Sequence, residues 1–253
     1  MVSQTQDGLA EGLSTQILYK AGGVAFFLAV LVALSEIAIQ FLPGVSEATQ
    51  HLETVTDWFR LFEEHWFLGL RSLGLLNLIG AAVLTPAVLA LYFALRREGE
   101  AWAALGAVLF FVGMAVYFAS NRGFAMWALS GQWASAASDA QRAMAEAAGQ
   151  AMLVEGSNRL GLALIDAAGV VFSAVMLSGR VFGRATAFAG IVGNGLMIVF
   201  ESVMAFVANG RGIGMRIVML AGICLMAWYL LAGARLLRMG AGQTAADNSA
   251  LRD

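Results

Sequence analysis

Residues 156–211, GSNRLGLALIDAAGVVFSAVMLSGRVFGRATAFAGIVGNGLMIVFESVMAFVANGR, hold two apolar runs joined by the short basic turn GRVFGR at 179–184. Each run is long enough to cross a bilayer as a helix, which takes about 20 residues. Each also carries groups that hydrocarbon penalises: Arg159 and Asp166 on the first, Asn194 and Glu201 on the second. Both pairs are seven residues apart, and two turns of about 3.6 residues bring a helix back to nearly the same face. Each helix therefore presents one polar stripe, and closing the hairpin turns both stripes toward the same side of the membrane.

Composition extends this reading to the whole chain. Hydrophobic residues fill 60% of 253 positions, charged residues 13%, and the mean hydropathy is +0.76. A soluble domain averages roughly 45–50% apolar and about 25% charged residues, so a polytopic membrane protein is expected. The single cysteine, Cys224, excludes an intrachain disulfide. A net charge of -2 argues against a nucleic-acid surface.

Working outward gives four more spans. Residues 1–14 are polar, without the basic segment or cleavage site of a secretory signal, and read as a cytoplasmic tail. The first span, 17–41, carries Glu36 and Gln40 and stops at Pro43-Gly44. The second begins near Trp66, contains Arg71 and Pro86, and ends at Arg96-Arg97; a tight turn returns the third, 102–120, beside it. Spans four and five are 160–177 and 185–207, span six is 217–237, and a polar tail follows from 240 to 253. Gly190, Gly193 and Gly195 allow a neighbouring helix to approach span five closely.

Two further segments are amphipathic. In 49–62, Leu52, Val55, Phe59 and Phe62 recur at three- and four-residue spacing, with His51, Glu53, Asp57 and Arg60 between them. Residues 135–149 are alanine-rich with Asp139, Arg142 and Glu146, opened by a capping-box signature at Ser138 and Gln141, and Gly156 marks a break before span four. The apolar run 124–137 is too short for a seventh span. The expected fold is an all-α membrane protein of six transmembrane helices, residues 15–239, with two extracytoplasmic amphipathic surface helices.

Orientation follows from Lys20, Arg96, Arg97, Arg180, Arg184, Arg235 and Arg238, which collect on the side of the termini and make it cytoplasmic. The opposite side has as many arginines, several of them internal to the bundle. In this topology Glu36, Arg71, Arg122, Arg159, Asp166 and Glu201 share the outer leaflet, where charges must pair or be hydrated. An outward-facing polar cavity is expected, with structural ion pairs as the alternative. Its ligand-binding or proton-coupling candidates are Glu36, Arg71, Arg122, Arg159, Asp166, Asn194 and Glu201. The carboxylates suit acid/base work or a coupling proton, and the arginines suit a phosphate or carboxylate. Arg71 or Arg159 is the expected ion-pair partner of Glu201.

No cofactor or metal is expected. The only histidines, His51 and His65, would stand about 21 Å apart on one helix. GRGIG at 210–214 lacks the lysine, the hydroxyl and the preceding strand of a phosphate loop. No serine or cysteine has a histidine-based catalytic arrangement. Three functions stay open: binding or transport of a small anionic or amphiphilic ligand, a membrane enzyme acting on lipid head groups, and a structural subunit of a membrane assembly. Expected partners are membrane lipids, a small anionic ligand, and another membrane protein or a second copy, with no nucleic acid.

Gly183-Arg184 opening span five, Trp228-Tyr229-Leu230, and Gly233-Ala234-Arg235-Leu236-Leu237 closing span six resemble a group of uncharacterised bacterial multi-pass membrane proteins. The resemblance implies a bacterial inner-membrane address and supplies no catalytic residue.

Overall fold

In a computed structural model, residues 2–50, 52–153, 158–207 and 211–250 are described. Among them the chain forms nine helices and no strand: α1 (Val2–Gln40), α2 (Val45–Gln50), α3 (Val55–Ser72), α4 (Leu75–Ser120), α5 (Gly123–Ala134), α6 (Asp139–Leu153), α7 (Asn158–Ser178), α8 (Arg184–Phe206) and α9 (Arg211–Ala250). The protein is an integral, multi-span, all-α membrane protein.

Five segments are long and apolar enough to cross a membrane: Ser14–Gln40, Leu75–Ala134, Arg159–Ser178, Arg184–Phe206 and Gly212–Gly242. Six are expected from the sequence. The second and third expected spans lie in one segment, whose backbone departs from helical geometry at Gly99 (φ -172°, ψ 76°). That departure reverses the chain. Thr85 Oγ1 donates to Met114 Sδ at 3.7 Å, although residues 29 apart on a straight helix would be separated by about 43 Å.

The chain divides into two compact units. The first comprises Met1–Leu31, Ala81–Ala115 and Gly161–Asp253; the second comprises Val32–Gly80 and Val116–Leu160.

Apolar residues from α1, α4, α7, α8 and α9 form the first unit's core, with Phe26, Leu91, Leu95, Phe172, Met176 and Leu236 almost fully enclosed. The turn between α7 and α8 is fixed by Glu98, whose Oε1 accepts from the backbone N–H of Arg180 and, at 2.9 Å, of Val181. Arg235 Nε donates to the Val181 carbonyl at 2.7 Å, so α9 holds the same turn.

The second unit has its own core, built from Val55, Phe59, Phe62, Leu70, Met126 and Ala145. Here the two expected surface helices take a different form. The segment 49–62 is split: α2 ends at Gln50 and α3 starts at Val55, capped by Thr54. Thr54 Oγ1 accepts from Asp57 N at 3.2 Å, and Asp57 Oδ2 accepts from Thr54 N at 2.8 Å, a reciprocal capping box. His51 lies outside the described residues, as does Gly156. Residues 123–134, too short to span alone, form α5, which packs against both α3 and α6. The apolar sides of α3 and α6 thus cover α5 and each other, while Arg60, Glu63 and Glu64 of α3 stay exposed. At α6, Ser138 Oγ accepts from Gln141 N at 3.3 Å as its capping signature requires, and Gln141 Oε1 accepts from Ala137 N at 2.8 Å.

Candidate functional site

The seven candidate residues fall into both units. Glu36, Arg71, Arg122 and Arg159 belong to the second; Asp166, Asn194 and Glu201 belong to the first.

In the second unit, Arg71 occupies the last turn of α3 with its side chain 5% exposed. Its Nη2 lies 2.9 Å from Glu36 Oε1 and also donates to the Glu36 carbonyl at 2.9 Å and to Gln40 Oε1 at 3.2 Å. One guanidinium nitrogen thus ties α3 to the last turns of α1, and the charge meets an opposite charge in a setting where an isolated one would be costly. Arg71 had been an expected partner of Glu201; its ion pair is with Glu36. Arg122 donates to the Met152 carbonyl, joining the N-cap of α5 to the end of α6. Arg159 sits half-buried in the first turn of α7.

In the first unit, the sequence sets the register of three helices. A side chain at Gly169 of α7 would collide with Asn194 of α8, and one at Gly190 of α8 would collide with Ser173 of α7. These two close approaches define an antiparallel pair, in which 169 faces 194 and 173 faces 190. Trp228 of α9 meets α8 at Gly190 as well, and Leu225 meets it at Gly193. Asp166 lies one turn from Gly169 on the same face, and Glu201 lies two turns from Asn194 on the same face. The two carboxylates are therefore separated by about 6 Å along the axis. Both are buried, at 8% and 5% exposure, and they lie within electrostatic reach of one another. Tyr229 lies within reach of Asp166.

Asn194 is buried and spends one N–H on the Gly190 carbonyl at 2.7 Å. It also lines a cavity of about 20 Å³ with Gly169, Phe172, Trp228, Tyr229 and apolar residues of α1 and α4. That volume accommodates one water molecule.

Two polar groups here escaped the sequence reading. Ser173 is completely buried and Trp228 is 5% exposed, and among the described residues neither Ser173 Oγ nor Trp228 Nε1 has a hydrogen-bond partner. Ser173 had a signal: it continues the seven-residue stripe that links Arg159 to Asp166. Trp228 had none, because a tryptophan in an apolar run reads as packing. Among the described residues no group of three or more His, Cys, Asp or Glu side chains could hold a metal ion. Comparison with protein-family models, with curated proteins and with solved structures gives no match.

Proposed function

We propose that the chain is a membrane transport module in which Asp166 and Glu201 carry a coupling proton. The observation behind this reading is the placement of two buried carboxylates on facing, membrane-spanning helices, about one turn apart. Two carboxyls that close, in a medium of low dielectric, can hand one proton back and forth. A shared proton that moves when one helix shifts is the chemistry a coupled transporter needs. The anion-holding reading has less support, since Arg71 is engaged by Glu36 and Gln40.

The Gly99 hairpin supports two crossings by the segment Leu75–Ala134, hence six in all. The 46 residues of α4 would extend about 69 Å, against a hydrocarbon core of roughly 30 Å. We place the chain in a bacterial inner membrane with both termini cytoplasmic. Single cysteines at Arg97 or Arg180, after replacement of Cys224, are then shielded from an impermeant thiol reagent in intact cells, and one at Ser138 is labelled.

The functional test uses the purified chain in liposomes enclosing a pH-sensitive dye. An imposed pH gradient with a clamped potential drives proton flux above that of protein-free vesicles, and Asp166→Asn and Glu201→Gln reduce it to that background. Flux indifferent to both substitutions, or no flux at all, overturns the reading.

A further inference from the structure

We infer that the α7–α8 turn and the neighbouring part of α9 hold the head group of an anionic phospholipid, with its acyl chains laid along α8 and α9. Four arginines gather there: Arg180 in the turn, Arg184 at the start of α8, and Arg235 and Arg238 on α9. Two observations bring them together. Arg235 Nε donates to the Val181 carbonyl at 2.7 Å, which sets α9 against the turn that carries Arg180. Gly190 meets Trp228 and Gly193 meets Leu225, so α8 and α9 run antiparallel, and six residues back along α8 from Gly190 puts Arg184 level with residue 234 of α9.

All four arginines are exposed, and among the described residues no carboxylate pairs with them. Glu98, which reaches this turn, gives Oε1 to the backbone N–H groups of Arg180 and Val181, and its Oε2 is buried without a partner among the described residues. Four positive charges thus stand against one carboxylate, and that carboxylate is spent on backbone. A guanidinium offers paired N–H donors that match two oxygens of a phosphate. A zwitterionic head group would bring its own ammonium among the arginines, whereas an anionic one adds no opposing cation.

The two helices beyond the arginines suit a lipid better than a free anion. From Arg184, the residues Phe188, Val192 and Val199 follow at spacings of four, four and seven; from Arg238, Leu231 and Leu220 follow at seven and eleven. Those spacings keep to one face of a helix, so an arginine heads an apolar stripe on each. All five apolar side chains are 44% to 54% exposed. Phe188 to Val199 and Leu231 to Leu220 each cover about 16 Å along the axis, against roughly 15 Å of hydrocarbon in one leaflet. The site lies about 25 Å along α8 from Glu201, and it stands whether or not the carboxylates carry a proton.

The test counts retained lipid by native mass spectrometry, after the purified protein is equilibrated in detergent micelles with equal amounts of phosphatidylglycerol and phosphatidylcholine of one chain length. Preferential retention of phosphatidylglycerol is expected. Arg184→Gln combined with Arg238→Gln should weaken that retention about thirtyfold, roughly fivefold for each arginine. Arg216→Gln, the same change of charge near the other end of α9, should leave it unaltered. Phe188→Ala combined with Leu231→Ala should weaken retention without any change of charge. Lack of preference in the parent protein, a preference that survives the double arginine variant, or an equal loss in Arg216→Gln overturns the inference. Retention indifferent to the Phe188 and Leu231 changes overturns the placement of the acyl chains. Inorganic phosphate supplies the remaining arm: if it alone raises the melting temperature of lipid-free protein as much as phosphatidylglycerol does, and the double arginine variant loses that rise, the site takes a free anion and the lipid assignment falls.

Discussion

Arg71 Nη2 lies 2.9 Å from Glu36 Oε1, yet the two partners live in different surroundings: the arginine side chain is 5% exposed and the glutamate 39%. The asymmetry decides which substitution hurts. Removing Arg71 leaves a carboxylate with access to the surroundings, whereas removing Glu36 leaves a guanidinium charge enclosed. Glu36→Gln is therefore expected to cost about 3 kcal/mol, at the lower end for one side of a buried pair because the Gln40 and backbone acceptors remain. Arg71→Met is expected to cost less, and Arg71→Met with Glu36→Leu to come near neutral. Denaturant titration in one fixed detergent ranks the three. An Arg71→Met protein less stable than Glu36→Gln contradicts the burial argument.

The contact between Gly169 and Asn194 makes a separate prediction. A methyl group at 169 would occupy the space of the Asn194 amide, whose N–H is already committed to the Gly190 carbonyl. Gly169→Ala is expected to cost roughly 1–3 kcal/mol through overpacking. Asn194→Ala alone opens space and loses one hydrogen bond, so combining it with Gly169→Ala should recover much of the loss. Simple additivity in the detergent-stability assay would show that the two residues do not compete for space.

These contacts mark what a sequence can carry and what it cannot. Hydropathy and length announce the membrane segments, and the seven-residue spacing finds Asp166, Asn194 and Glu201, each of them buried. Periodicity is a property of one helix. Which helix faces which depends on where the chain lacks side chains, and glycine spacing alone does not say whether Gly190 meets a serine, a tryptophan or lipid. The same limit assigned Arg71 to Glu201 on depth when its charge is met by Glu36. It also merged α2 with α3, because apolar spacing continues through a break that Thr54 and Asp57 impose by hydrogen bonding. The T-x-x-D signature there is legible, though it is weaker than the hydrophobic period around it.

Thr54 and Asp57 give a pH-dependent prediction outside the membrane segments. The Thr54 hydroxyl and then the Thr54 backbone N–H hold the Asp57 carboxylate in its ionised form, lowering its pKa from the usual aspartate value. The folded state thus binds fewer protons here than the unfolded one. The resulting stability is present above the unfolded pKa and is lost as pH falls through the folded one. Thr54→Ala removes the cap and is expected to cost about 1 kcal/mol at neutral pH. The difference from the parent protein should narrow in acid, once Asp57 is protonated in both. Hydrogen exchange over residues 55–62, compared between the two proteins at each pH, reads this directly. A gap that widens in acid would reverse the assigned sign.

The last prediction concerns the coupling between Asp166 and Glu201. Asp166→Asn keeps the shape of the side chain and removes one of the two carboxyls that share a proton across α7 and α8, so it should leave the fold intact and cost less than about 1 kcal/mol. Glu201→Gln removes the other. Since either substitution ends the sharing, the second changes less than the first. A double-mutant cycle in a fixed detergent should therefore show a coupling of about 0.5–3 kcal/mol, the range for residues that share an interaction. Infrared spectra in lipid nanodiscs supply the protonation readout: the parent protein should show the carbonyl stretch of a protonated carboxyl at neutral pH, and the double variant should lose it. Additive energies together with no such band would mean that each carboxylate is met by its own surroundings. The pair would then be two separate structural contacts, with no shared proton to move.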